Sequence, residues 1–361
     1  MSPNPAAAPR LGALLLGAAA AVLLAGLAEG AWAARHCSIL QYHHVSAATP
    51  RATSVTPAQL EAHLGHLEDE GFQVLDLEAV ASAVVAGEPL PERCVALTFD
   101  DAYRSVYEEA FPRIRRRGWP MTVFVSTGVI DAGGDTYLSW EQMREMAGAG
   151  VRFANHSHGH GHLVRQRPGE SAAAWIGRVR EDLLTALARL RAELGSAPAL
   201  FAWPYGEYVP ALGDLVRELG LIGFGQQSGP ASPHARPYAL PRFAMAAPYA
   251  GLEGFALKLR TLPLPVVAAD PESPVVAPGV RRPTLRVRLD APPADPEALR
   301  CWVNGTPDTT VAWPRPDTFT VTATRDLPVG RSRYNCTMPA RESGRWHWHS
   351  QPWLRRHDDG L

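Results

Sequence analysis

The sequence predicts an α/β fold, a parallel sheet covered by helices, followed by a small all-β domain, and three observations lead there. From Cys37 to about Arg260, short apolar runs alternate with amphipathic helical patterns. Leu262 to Pro283 is rich in proline and carries no helical period. Beyond it, short β-like runs are separated by Pro, Gly and Asp.

Residues 1–33 read as an export leader. Arg10 precedes an Ala/Leu-rich run from Leu11 to Ala28, and Ala31-Trp32-Ala33 offers the small-x-small pattern of a cleavage site after Ala33. The other reading is an uncleaved anchor, since the run approaches the roughly 20 residues that span a bilayer. No later stretch is long and apolar enough to span, so no membrane span is expected after cleavage. Hydrophobic residues make up 46% and charged residues 20%, an ordinary globular balance, and the net charge is -1. That charge gives no footprint for nucleic acid or an anionic membrane.

The elements follow in chain order. Ser38 to Val45 is an apolar strand. Thr56-Pro57-Ala58-Gln59 reads as a capping box, with Leu60, Leu64 and Leu67 on one helical face and Gly71 as the stop. Phe72 to Leu77 reads as a strand, and so does Val95 to Phe99. A helix is expected from about Tyr103 to Arg117 and a strand over Met121 to Val125. Ser139 caps a helix ending near Gly148, and Val151 to Ala154 is the next strand. Ile176, Val179, Leu183, Leu187, Leu190 and Leu194 form one stripe of a long helix. The strand Ala199 to Trp203, a helix around Leu212 to Leu219, and strands near Leu221 to Phe224 and Leu240 to Phe243 complete the unit. The expected divisions are a sheet domain over 34–261, an extended linker over 262–283 and a small β-sandwich over 284–361. Its strands are Thr284 to Leu289, Arg300 to Val303, Thr318 to Thr322, Ser332 to Cys336 and Arg345 to His349.

In a parallel α/β sheet, reactive side chains gather at the carboxyl ends of the strands. Thr98-Phe99-Asp100-Asp101 closes one strand, and Asn155-His156-Ser157-His158-Gly159-His160 follows another. One carboxylate and two imidazoles four residues apart can hold a divalent metal and leave the second carboxylate free. That set describes a metal-dependent hydrolase. Taken alone, such an acid pair is more often a helix N-cap and a solvated turn.

Together with Trp203-Pro204-Tyr205-Gly206, and in this order, these strings resemble the polysaccharide deacetylases with a NodB-type domain, in particular the poly-N-acetylglucosamine deacetylase branch. The resemblance spans roughly Ser38 to Met245 and includes Gln41-Tyr42-His43-His44-Val45 as the first strand; the tail from Thr284 lies outside it. It implies a distorted (β/α) barrel that hydrolyses N- or O-acetyl groups of an acetylated polysaccharide. It also implies metal ligation by Asp101, His156 and His160, most often of Zn2+, with Co2+, Ni2+ or Fe2+ as alternatives. Asp100 would be the general base, and the backbone N–H of Tyr205 would face the oxyanion. Trp203, Pro204 and Tyr205 would bind the sugar.

Two departures matter. Many relatives carry an arginine before the Pro-Tyr-Gly string to orient the base, where this chain has Phe201-Ala202-Trp203; Arg242 is the candidate substitute. The late Leu-x-His that protonates the leaving amine in many relatives finds no match, so His43 is assigned that role, with His234 as a weaker option. The rival reading is a noncatalytic glycan-binding or cell-envelope assembly protein that keeps the barrel.

Four cysteines suit an exported chain. Cys37 and Cys94 each begin an apolar run that neighbouring strands would bring together, and Cys301 and Cys336 share the C-terminal segment. The expected pairs are 37 with 94 and 301 with 336. Asn155-His156-Ser157 is formally a glycosylation sequon, and a glycan there would block the site. A bacterial periplasm or exterior therefore fits better than a eukaryotic secretory route.

Overall fold

The protein was analysed as a computed structural model that describes residues 1–2, 34–247, 249–341 and 344–356. The expected leader lies outside the described residues apart from its first two positions. No described helix is long and apolar enough to cross a membrane.

Eight parallel strands form one curled sheet in the order Phe243–Ala244, Ser38–Tyr42, Cys94–Phe99, Thr122–Val125, Arg152–Asn155, Leu200–Ala202 and Ile222–Phe224, with Gln73–Val74 beside Cys94–Phe99. Its two ends meet through one segment: Leu240 bridges Phe224, and Phe243 pairs with Leu40. This is the distorted barrel that the resemblance implied. Ser38–Tyr42 and Cys94–Phe99 are buried at every residue, as strands covered on both faces must be.

Sequence chemistry sets the helices. Thr56 and Ser139 form full capping boxes with Gln59 and Gln142. The long helix Ala172–Leu194 buries Trp175, Val179, Leu183, Leu187 and Leu190. Phe72 to Leu77 is not one strand. Only Gln73–Val74 pairs, and Leu77 begins a helix to Ala86, because the Asp76 carboxylate accepts from the N–H groups of Glu78 and Ala79 and Gly87 ends it in left-handed conformation. The expected helix from Tyr103 to Arg117 opens instead as a wide π-type turn, Val106–Ala110, before Phe111–Arg115.

Two four-stranded sheets make the C-terminal sandwich. One orders Leu262–Pro263, Trp346–Arg355, Gly330–Pro339 and Arg300–Val303; the other orders Val266–Asp270, Thr284–Leu289, Thr318–Ala323 and Thr309–Arg315. Leu285, Val287, Phe319, Val321, Tyr334 and Trp353 fill the space between them. The proline-rich stretch is therefore not a free linker. Leu262–Pro263 and Val266–Asp270 pair at sheet edges, where the missing N–H of proline is tolerated. Thr309–Arg315 is a further edge strand that the sequence reading omitted. Both expected disulfides are present, Cys37–Cys94 and Cys301–Cys336. Trp348 packs edge-on against Phe243, at a ring separation of 5.7 Å, and so joins the sandwich to the barrel.

Candidate active site

The predicted acids, histidines and Tyr205 follow strands at their carboxyl ends, whereas Arg242 immediately precedes the strand Phe243–Ala244. Asp100 and Asp101 follow Cys94–Phe99, His156 follows Arg152–Asn155, and Tyr205 lies in the turn after Leu200–Ala202. His43 follows Ser38–Tyr42. The backbone there is unusual: Asp101 (φ 70°), Ser157 (φ 69°), His160 (φ 51°) and Tyr205 (φ 59°) are all left-handed. Side chains rarely accept that conformation unless surrounding contacts hold it, and such strain concentrates at functional sites. In the turn, Gly206 (φ +69°) passes so close to Gln226 that an added Cβ would lie 2.6 Å from its side chain.

The loop bearing His160 is tied down by residues the sequence reading did not single out. Asn155 Oδ1 accepts from the Ser157 N–H at 2.7 Å, while its amide donates to the Leu183 carbonyl at 2.9 Å. Asp182, on the long helix, accepts from the N–H groups of His158 and Gly159 at 2.8 and 3.1 Å. Asn155 heading a histidine-rich string is an Asx-turn signal; Asp182 carries none, because its partners lie more than 20 residues away.

Asp101, His156 and His160 converge, with ligating atoms all within 4.8 Å of one another. Asp101 Oδ1 lies 3.2 Å from His156 Nε2 and 3.0 Å from His160 Nε2. His156 Nδ1 lies 2.8 Å from the Ala202 carbonyl, which can only accept, so that nitrogen carries the proton. In the neutral ring, Nε2 then presents a lone pair toward a buried carboxylate oxygen that receives no well-formed hydrogen bond. A lone pair facing a carboxylate at this distance calls for a proton or a metal ion between them, and an Asp/His/His donor set suits zinc and its borderline neighbours. Without a cation in the site, the three groups compensate one another as charges. Burial alone would raise the Asp101 carboxyl, but the two imidazoles hold it well below its ordinary range. Burial alone would lower His156, yet Asp101 draws it upward.

Asp100 lies one layer deeper. It is fully buried, and Arg242, also fully buried, clamps it with Nη1 to Oδ1 at 2.7 Å and Nη2 to Oδ2 at 2.8 Å. Gln41 Nε2 donates to Oδ2 at 2.6 Å. Burial pushes the Asp100 carboxyl up, and the Arg242 charge overrides it and keeps the group below its ordinary range. The geometric partner expected of Arg242 is thus in place. His43 lines the same cavity; burial lowers it, against the pull of Asp100 and Asp101.

Trp203 and Pro204 do not reach the cavity, which corrects their expected place on the sugar. Trp203 is fully buried and donates its indole N–H to the Tyr238 carbonyl at 2.6 Å, packing in the barrel core. Pro204 is buried at the start of the turn. Only Tyr205 emerges, its ring stacked on His162 at 4.1 Å and edge-on to His160 at 4.8 Å. His162 is held by the buried Glu207 carboxylate at 2.7 Å. His234 lines a different cavity, between the two domains.

The cleft of about 880 Å³ above Asp101 has walls from both domains. The barrel contributes His43, Tyr103 and Tyr205, and the sandwich contributes Asn304, Arg331, Arg333 and Trp353. No sequence signal pointed to this second wall.

Residues 87–223 match the family model described as polysaccharide deacetylase. The chain is 28% identical over 233 residues to the poly-beta-1,6-N-acetyl-D-glucosamine N-deacetylase of Escherichia coli strain K12, covering 55% of this chain and 34% of that protein. It is 24% identical over 200 residues to the enzyme of the same name from Staphylococcus aureus strain MRSA252, covering 54% of this chain and 68% of that one. Among solved structures it resembles the Streptococcus pyogenes deacetylase PplD in complex with acetate, with a TM-score of 0.55 and 25% identity over 62% of this chain and 98% of that one. The chain thus spans about a third of the length of the Escherichia coli protein.

Proposed function

From a chain that carries a polysaccharide deacetylase domain, we propose an exported, metal-dependent hydrolase that removes acetyl groups, N-acetyl above all, from a polysaccharide. The observation that carries this reading is the buried Asp101 oxygen facing two imidazole Nε2 atoms, beside a second carboxylate held ionised by arginine. Asp101, His156 and His160 would hold a divalent cation, most often zinc in the resembling family. When bound, such a cation supplies Lewis acidity at the attacking water and at the acetyl carbonyl.

The chain's own residues supply the rest. Asp100 takes the proton of the attacking water; Arg242 keeps it anionic and fixes its direction, while Gln41 holds its second oxygen. The Tyr205 backbone N–H, in the strained turn over buried Trp203 and Pro204, faces the developing oxyanion. His43 returns a proton to the leaving amine nitrogen. Tyr205 and Tyr103 line the cavity wall and give the sugar aromatic surface to pack against. Two disulfides fit an oxidising compartment, the periplasm or the exterior of a bacterium.

The test is acetate release from N-acetylglucosamine oligosaccharides. Chelator should abolish it and zinc should restore it. Asp100→Asn should lose about 10²- to 10⁴-fold in rate while retaining stoichiometric metal. Wild-type rates in that variant would remove Asp100 from the mechanism. Glycan binding without acetate release by the metal-replenished protein would favour the noncatalytic reading.

A further inference from the structure

The strand Gly330–Pro339 alternates its two faces. Ser332, Tyr334, Cys336 and Met338 are buried, three of them in the sandwich core, whereas Arg331, Arg333 and Asn335 turn to the barrel. Arg331 Nη1 donates to the Tyr205 carbonyl at 2.8 Å, and its guanidinium lies 5.5 Å from the centre of the Tyr205 ring. Arg333 Nη1 donates to the Gln226 carbonyl at 3.3 Å. Both line the cleft that holds Asp101, His156 and His160. Neither guanidinium reaches a carboxylate among the described residues, although most arginines around the barrel do.

Arg331 is exposed and Arg333 half-buried; two like charges on one face, with no carboxylate partner among the described residues, oppose each other, and Arg333 also loses water. Burial lowers Arg333, the Tyr249 phenol opposes that, and Arg331 adds to it. Each guanidinium spends one arm on a backbone carbonyl and has further N–H groups for a planar anion. The other charges of the cleft are matched: Asp100 by Arg242, Glu207 by His162, and Asp101 by the imidazoles and the cation they would share.

We propose that Arg331 and Arg333 form a carboxylate-binding subsite, so that the glycan taken by this cleft carries an acidic sugar next to the N-acetylated one. This rests on the deacetylase reading for the identity of the ligand as a glycan. It separates this chain from relatives named for poly-beta-1,6-N-acetyl-D-glucosamine, a polymer without carboxylates.

The test is calorimetric binding to the full chain in chelator, where no turnover intervenes. The probe is a tetrasaccharide of alternating glucuronic acid and N-acetylglucosamine, compared with its carboxyl-reduced form, which keeps the shape and loses the charge. The acidic form should bind at least about tenfold tighter, the weight of a charge-assisted hydrogen bond, and raised salt should erode that preference. Arg333→Gln should narrow the preference by weakening the acidic form far more than the reduced one, and Arg333→Lys should keep part of it. Arg331→Gln should weaken both forms, because it also releases the Tyr205 turn. Equal binding of the two forms by the wild type, no binding of either at millimolar concentration, or an undiminished preference in a folded Arg333→Gln would each overturn the subsite. Acetate release from neutral oligosaccharides, measured separately with zinc, reports on the deacetylase reading alone.

Discussion

Arginine is used in two opposite ways around this cleft. Arg242, from the barrel, is completed: its Nε–H goes to the Gly225 carbonyl, Nη1 to Thr98 and Asp100, and Nη2 to Asp100, above the ring of Phe124. Arg331 and Arg333, from the sandwich, are left with carbonyl contacts and no carboxylate among the described residues. A fully satisfied buried ion pair fixes geometry and offers nothing to a ligand. An unmatched pair of guanidiniums fixes little and costs stability, and it gains its partner only from outside. On the proposed reading, the barrel supplies the hydrolytic chemistry and the attached domain supplies the feature that would select among glycans.

The largest effect expected from breaking this contrast is at Arg242. Arg242→Met strands a buried carboxylate, and removal of one partner of such a pair costs about 3–5 kcal/mol. Urea denaturation should show that loss, and acetate release should fall by at least about 10²-fold as Asp100 loses its orientation. A variant within about 1 kcal/mol of wild type would mean that the pair holds little of the fold together, since surface changes alone stay below that.

Much of the barrel's chemistry was legible because it is local. The acid pair ends an apolar run, the histidines follow another, and the capping boxes announce themselves within four residues. Cys37 and Cys94 were paired correctly because the strands they begin are neighbours in register, Ser38 against Val95. The helix Leu77–Ala86 was missed although Asp76 and Gly87 bracket it, because its run of alanines and valines satisfies either period. Trp203 misled for another reason. The motif fixes the turn, but which aromatic face meets solvent depends on Tyr238, 35 residues away. Arg331 and Arg333 were invisible, since their meaning lies in a contact between domains that no spacing records.

A smaller, pH-dependent effect sharpens the comparison. Arg242 holds the Asp100 carboxyl below its ordinary 3.8, so this pair's stabilisation is present above that value and lost as pH falls through the lower folded-state value. Without Arg242, burial is left to push the carboxyl up, so acid relieves the variant by neutralising the stranded charge. The stability gap between wild type and Arg242→Met should therefore narrow as pH falls from 7 toward 4, by at most about 1.4 kcal/mol per pH unit for one group. Buried His63, lowered to about 4 by desolvation and stacked on Phe255, gives both proteins the same background. Its stabilisation is complete above 6.5 and is lost as pH falls through about 4, so it cancels in the difference. Parallel denaturation midpoints across pH 4 to 8 check the sign, and a gap that widens in acid would mean that Asp100 is not the stranded charge.

The smallest expected effect is at Arg333, and its smallness is the point. Replacement of Arg333 by Gln removes a partly desolvated charge that has a like neighbour, at the loss of one 3.3 Å hydrogen bond to the Gln226 carbonyl. Stability should stay within about 0.5 kcal/mol of wild type or rise, as changes that relieve a functional conflict do. Thermal and urea denaturation of Arg333→Gln beside Arg242→Met gives the comparison directly. If Arg333→Gln were as damaging as Arg242→Met, Arg333 would be bracing the sandwich against the barrel, and its unmatched charge would be incidental to that strut. If it leaves the fold intact, the charge is kept for something the protein itself does not contain.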